Sequence, residues 1–221
     1  IPNAEPWSTL ERLNKERELV GIYLSAHPLD EYAVIIRDVC TMHATDLEDP
    51  SPLVNCDFTL GGIITNVKTA ISKRGSGYGI VTIEDYSGQG EIALFGQDWP
   101  KWGGYMMVGS TLYITGRVQP GRYDPTRVQL SIGDIQYLSD VKDDLIQKIT
   151  IHLNADKLTD DVVISLKEAL AREEGNVSVE FIFHNSEGHS LTMKPKDLKI
   201  KVTRPLLDYL RETDGLDYNI N

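Results

Sequence analysis

The chain has 221 residues, 41% hydrophobic and 25% charged, with 22 Lys plus Arg against 33 Asp plus Glu and a formal net charge of −11. That composition fits one large or two small globular domains and argues against a disordered or fibrous chain. The longest apolar runs, such as Tyr105 to Val108, fall far short of the roughly 20 residues a membrane-spanning helix needs, so no membrane partner is expected. Ile1 to Pro6 carry neither a basic nor an apolar leader region, and the missing initiator Met suggests a piece of a longer chain. Cys40 and Cys56 show no metal-ligand spacing and no disulfide framework, which points to reduced thiols and a cytoplasmic location.

Residues 1–53 read as a helical lead-in and linker. Ser8 with Glu11 three residues later is a capping-box pair, and Leu10, Leu13, Val20, Tyr23 and Leu24 recur at helical spacing. His27-Pro28 ends that helix, because proline has no amide to donate and disfavours α geometry in the residue before it. A second short helix is expected from about Asp30 to Val39. Asp46 to Pro52 reads as a linker by composition.

Residues 54–138 switch to period two. Phe58, Leu60, Ile64 and Val67 begin a long strand whose Gly61-Gly62 pair predicts a bulge or bend. Tyr78 to Glu84, Glu91 to Phe95, Thr111 to Val118 and Arg127 to Leu138 make five strands in all, with a plug from Asp98 to Val108 before the fourth. That order describes a five-stranded OB-fold barrel, a nucleic-acid-binding scaffold, and the plug favours it over an SH3-like barrel.

Residues 139–221 change period again. A strand at Ile149 to Leu153 leads to a helix capped by Thr159 and ended by Gly175. Val177 to His184 is an alternating strand, Asn185 to Gly188 a hairpin turn, and His189 to Val202 the return. Thr203 caps a helix with Pro205 in its first turn, and Leu216 to Ile220 is the last strand. The order βαββαβ gives a small two-layer α+β protein-docking domain, for which a ferredoxin-like sheet is one arrangement. The expected fold class is therefore mainly β plus α+β.

Charge follows these divisions. Residues 1–53 hold 4 basic and 10 acidic side chains, residues 54–138 hold 7 and 7, and residues 139–221 hold 11 and 16. Nucleic-acid binding rests on basic surface, so the middle segment is its best seat. Lys68, Lys73 and Arg74 fall within seven residues that contain no acid, and Arg117, Arg122 and Arg127 form a second group diluted by Asp124.

Several motifs resemble a known family. Glu18-Leu-Val-Gly-Ile-Tyr-Leu-Ser-Ala-His-Pro-Leu-Asp30 resembles the helix-to-turn signature preceding the OB domain of bacterial DNA polymerase III alpha subunits. Gly62-Ile-Ile, Lys73-Arg74-Gly75, Thr82-Ile-Glu-Asp85, Gly88, Glu91 and Leu94-Phe95 are similar to that OB domain in order and spacing. Other OB modules share these, including the anticodon-binding domain of class II aminoacyl-tRNA synthetases. Val202, the run Leu206 to Leu210 and a final strand resemble the C-terminal domain of the replicative form. The resemblance covers essentially the whole chain.

What the resemblance implies is a division of labour. The polymerase palm, with its metal-binding aspartates, and the clamp-binding peptide would lie upstream, leaving no active site and no cofactor here. The OB domain would contact single-stranded template DNA. The C-terminal domain would dock the clamp-loader tau subunit among the other holoenzyme subunits. An RNA- or tRNA-binding OB module and a purely structural protein-binding scaffold are the competing readings.

Candidate residues follow from the groove of an OB domain, where cations track phosphates and aromatic faces stack on bases. Lys68, Lys73 and Arg74 flank it, with Gly75, Gly77 and Gly79 giving their loop freedom to move. Tyr78 and Phe95 fall in the less apolar phase of their strands and can stack. Arg117, Arg122 and Tyr123, at the end of strand four and in the next loop, form a second group. Trp99, Trp102 and Tyr105 are expected to close the barrel bottom. In the C-terminal domain Tyr209 and Tyr218 are candidate partner contacts, with closure of the small core as the alternative. Catalytic patterns are weak. Glu84, Asp85 and Glu91 straddle a turn and read as a solvated hairpin, and His184 and His189 lack the partners a zinc site needs.

Overall fold

The computed structural model describes residues 19, 27–72, 75–121 and 128–220. Apart from Leu19, the helix expected between Ser8 and Leu24 lies outside the described residues. Two compact units divide the chain, residues 1–36 with 40–141 and residues 37–39 with 142–221. No described helix is long and apolar enough to cross a membrane.

In the first unit β1 (Asp57–Ile71), β2 (Gly77–Glu84), β3 (Gln89–Leu94), β4 (Thr111–Pro120) and β5 (Val128–Tyr137) form one antiparallel sheet in the order β3-β2-β1-β4-β5. Its inner face is apolar because alternate residues of each strand point the same way. Phe58, Leu60, Ile64, Val81, Ile83, Ile92, Leu94, Leu112, Ile114, Val118 and Ile135 are all at most 2% exposed. The plug is a short helix, α1 (Asp98–Trp102), and a 3-10 turn, Gly103–Tyr105, which drop Trp102 and Met106 into this core. A single helical turn, α2 (Leu138–Val141), follows β5.

The strand order is that of an OB-fold, but the barrel expected from the sequence is not closed. Among the described residues no ladder joins β3 to β5. The Ala44–Leu47 turn occupies the inner side of β3, where a Cβ on Gly90 would lie 2.1 Å from the Ala44 carbonyl oxygen. Packing, rather than strand pairing, seals the core there.

Two further expectations change. Gly61 and Gly62 pair regularly with Tyr113 and Leu112, and the irregularity in β1 falls between Ile64 and Asn66 instead. The glycines answer to close approach: a Cβ would come within 2.9 Å of Ile36 at Gly61 and 2.7 Å of Ile83 at Gly62. The stretch read as a linker is folded onto the sheet through 3-10 turns at Ala44–Leu47 and Ser51–Leu53, with Leu47, Leu53 and Val54 packed against the core.

The second unit runs β6 (Lys148–Asn154), α3 (Asp160–Ala171), β7 (Glu174–His184), β8 (Ser190–Met193), β9 (Lys199–Ile200), α4 (Arg204–Glu212) and β10 (Leu216–Ile220). The sheet order is β10-β6-β7-β8, with β9 also on β7. β6 and β7 are parallel and directly paired through the α3 crossover. A ferredoxin-like sheet splits the strands flanking its first helix with another strand, so that arrangement is replaced by a direct βαβ unit. Thr159 caps α3, its hydroxyl accepting from the Val162 amide at 3.4 Å. Gly175 does not stop the helix; it lies in β7, where a Cβ would meet the Lys201 amide nitrogen at 2.4 Å. Ile149, Ile151, Leu153, Val179 and Phe181 of the sheet are buried with Leu166 and Leu170 of α3 and Leu206, Leu207 and Leu210 of α4.

Candidate nucleic-acid interface

Strand register fixes which side chains share the outer face of β1, β2 and β3. Directly opposite residues of an antiparallel pair point to the same side. Val67, Val81 and Ile92 are one such row and belong to the core or pack against it. The neighbouring row, Lys68, Ile80 and Ala93, therefore faces outward, and so does the next, in which Tyr78 opposes Ala70. Phe95 follows β3 in the same outward phase, 56% exposed, with its ring centroid 5.2 Å from that of Tyr78. Lys68, Tyr78 and Phe95 are thus brought together on one surface. Glu91, opposite Thr82, puts an acid on the same face.

The tryptophans stay off this surface. A Cβ on Gly79 would lie 2.1 Å from the Trp99 ring, and one on Gly77 3.6 Å from it. Gly79 is therefore bare because the indole lies on it, a role in packing rather than in loop freedom. Gly75 does adopt a left-handed conformation, φ 79°, with open space around it. Trp102 is buried, and its ring lies 4.1 Å beneath the Lys101 ammonium.

The remaining cationic candidates divide. Arg117 is at the far end of β1, opposite Asp57, where Nη2 donates to the Asn55 carbonyl at 2.9 Å and Nη1 lies 3.6 Å from Asp57. From Asp57 to Lys68 the strand runs eleven residues, about 36 Å of contour, so Arg117 is not part of the Lys68 cluster. Lys73, Arg74, Arg122 and Tyr123 lie outside the described residues.

A clasp not evident from the sequence joins the lead-in to the β2–β3 turn. Asp85, read there as a solvated turn acid, is buried and accepts from the Ala44 amide at 2.9 Å, the Ser87 amide at 2.7 Å and the Ser87 hydroxyl at 2.5 Å. His43 Nδ1 stands 3.7 Å from the same carboxylate. Asp30 accepts from the His27 amide at 2.9 Å and from Tyr86 Oη at 3.1 Å, while the His27 ring stacks at 4.9 Å on Tyr86. Both acids tie the lead-in to the β2–β3 turn. The Asp85-Tyr86-Ser87 spacing is the signal that could have shown it, since aspartate commonly accepts from the amide two residues on. Cys40, packed near Gly61, has its thiol pushed up to about 12 by burial, which keeps it protonated and unreactive at neutral pH.

In the second unit the two tyrosines behave differently. Tyr209 on α4 is half-buried, and its hydroxyl has no hydrogen-bond partner among the described residues. Tyr218 on β10 donates to Asp38 Oδ1 at 3.0 Å, and Arg211, paired with the same carboxylate, lies 5.3 Å over its ring. Burial first, and then the negative Asp38, push the Tyr218 phenol well above its ordinary value. Glu180 sits between Lys194 at 3.1 Å and Lys148 at 3.2 Å, whose hydrogen bonds hold its carboxyl below the usual range. Among the described residues no group of three or more His, Cys, Asp or Glu could hold a metal ion.

Comparison with known proteins matches both units. Residues 58–138 match the family of OB-fold nucleic acid binding domains. Residues 149–221 match the C-terminal domain of the DNA polymerase III alpha subunit. The chain is 28% identical over 215 residues to DNA polymerase III subunit alpha of Borreliella burgdorferi, covering 96% of this chain and 18% of that protein. It is 24% identical over 207 residues to the same protein from Pseudomonas aeruginosa, covering 94% and 17%. The chain thus spans less than a fifth of the length of these relatives. Among solved structures, the mitochondrial single-stranded DNA-binding protein of S. cerevisiae is similar at 17% identity and a TM-score of 0.29, covering 38% of this chain and 94% of that one.

Proposed function

We propose, from the premise that this chain belongs to the DNA polymerase III alpha subunit family and corresponds to its C-terminal region, that it is a strand-guiding and docking module of a replicative polymerase. Its OB unit binds single-stranded DNA across the outer face of β1–β3. Its second unit docks the clamp-loader tau subunit, within the cytoplasmic replication assembly. The observation that carries the first half is the Tyr78–Phe95 pair, its rings 5.2 Å apart with Phe95 exposed and Tyr78 half-buried, on the same face as Lys68. Aromatic rings stack on bases of any sequence, at about 1–3 kcal/mol per base, and a lysine beside them attracts the phosphates. The acidic balance of residues 139–221, 11 basic against 16 acidic side chains, supports a protein rather than a phosphate backbone as that unit's ligand.

The test is a fluorescence-anisotropy titration of the chain with a labelled 20-nucleotide deoxythymidine strand over a salt series. Binding is weak, because the molecule as a whole is anionic. Phe95→Ala lowers affinity by roughly 5- to 150-fold, the equivalent of one lost stack. Lys68→Glu flattens the log–log salt dependence by about 0.7, the single-strand value for one phosphate. Reversing Lys73 and Arg74 together extends the same test to the residues named from sequence alone. Unchanged affinity and slope in all three variants would reject this face as the binding surface. Tighter binding of the matching ribo-oligonucleotide would move the reading to RNA.

A further inference from the structure

The second unit contains an apolar groove of about 400 Å³ between α3 and the β7–β8 hairpin. Val163, Leu166 and Leu170 form one wall at helical spacing, and Phe181, Phe183 and Met193 form the floor. A sheet face normally meets a full layer of helices. Here the helical cover stops short of β8. Leu191 and Met193 oppose Phe183 and Phe181 in the ladder and so share their face, yet they are 66% and 46% exposed. The apolar surface therefore continues from the groove across the edge strand instead of ending in a closed pocket.

The chemistry of the lining identifies the kind of occupant. Sites for small molecules carry several polar groups that fix orientation, whereas Lys167 is the one charged side chain in this lining. Its ammonium has no ion-pair partner among the described residues. The wall formed by α3 is twelve residues, about 18 Å, long. A second helix lying beside it can place residues i, i+3 or i+4 and i+7 into the groove. We infer that this groove seats an amphipathic helix of a partner protein, its apolar stripe against Phe181, Phe183 and Met193 and a carboxylate against Lys167. The inference rests on the docking role proposed for this unit and specifies where and by what chemistry the docking occurs.

The experiment uses the full chain and two fluorescein-labelled 14-residue designed helices with the same leucine stripe, one flanked by glutamate and one by lysine. The glutamate helix binds at least fivefold tighter than the lysine helix, and Lys167→Glu reverses that order. Val163→Asp and Leu191→Asp, both at exposed positions, weaken binding of either helix at least tenfold. Failure of both helices to bind, or binding that the two aspartate variants leave unchanged, overturns the inference. Purified tau subunit, added as competitor, separates the two levels. Displacement of the glutamate helix supports the groove as the seat of tau. Binding of tau without displacement leaves the docking role standing and overturns the groove as its seat. Binding of the helix with none of tau supports the groove and rejects tau.

Discussion

Replacing Asp85 by alanine removes the acceptor that joins the lead-in segment to the β2–β3 turn. Three donors lose it: the Ala44 amide at 2.9 Å and the Ser87 amide and hydroxyl at 2.7 and 2.5 Å. Hydrogen bonds to a charged group contribute about 1.5–3 kcal/mol, and a buried donor left unpaired costs about 1–3 kcal/mol. Ala44 is buried, so its amide bears the full cost, while Ser87 is exposed and its groups turn to water. The expected loss is therefore about 3 kcal/mol. Asp85→Asn keeps one oxygen but presents an NH2 to the other donor, and loses about half as much. Urea unfolding followed by tryptophan emission reads this directly. Trp99 and Trp102 lie in the first unit, against and within its core, and residues 142–221 contain no tryptophan, so the change in emission follows the unfolding of that unit. With a slope of about 2 kcal/mol per molar urea, Asp85→Ala shifts the midpoint down by about 1.5 M. A shift below about 0.3 M would refute the claim that this carboxylate holds the lead-in to the sheet.

Two further predictions follow from packing and from ionisation. Gly79→Ala places a methyl 2.1 Å from the Trp99 ring; the indole is displaced, its emission shifts to the red, and stability falls by about 1–3 kcal/mol, the usual cost of overpacking. An unshifted spectrum would show that Gly79 serves some other purpose. Tyr218 has its phenol raised by burial and by Asp38, so its contribution is fully present below the ordinary value of about 10 and is lost above it, where the unfolded chain ionises first. Tyr218→Phe costs about 1 kcal/mol at neutral pH and flattens the alkaline fall in stability of the second unit. Circular dichroism melts between pH 7 and 11 check this, and parallel profiles for the two proteins would refute it.

Much of this architecture is written locally. Period-two alternation from Phe58 onward, the turn residues at Asp85 to Gly90 and Asn185 to Gly188, and the leucines at 206, 207 and 210 depend only on near neighbours along the chain. They place the five strands of the first unit and the two helices of the second between its strands, whose return from the hairpin breaks into β8 and the two-residue β9, and the parity of Tyr78 and Phe95 sets both on the outer face before any pairing is known. What the linear order cannot carry is who approaches whom. Gly61, Gly62, Gly79 and Gly175 look like bends or stops in sequence because glycine serves both as a hinge and as a gap. Only the positions of Ile36, Ile83, Trp99 and Lys201 in space show that each is a gap. Asp85 looks solvated beside Ser87 and Gly88 because its third donor, the Ala44 amide, is 41 residues away in the chain. The gap left between β3 and β5, the direct pairing of β6 with β7, and the uncovered floor at Leu191 and Met193 are likewise decided by long-range packing, to which hydrophobic periodicity is blind.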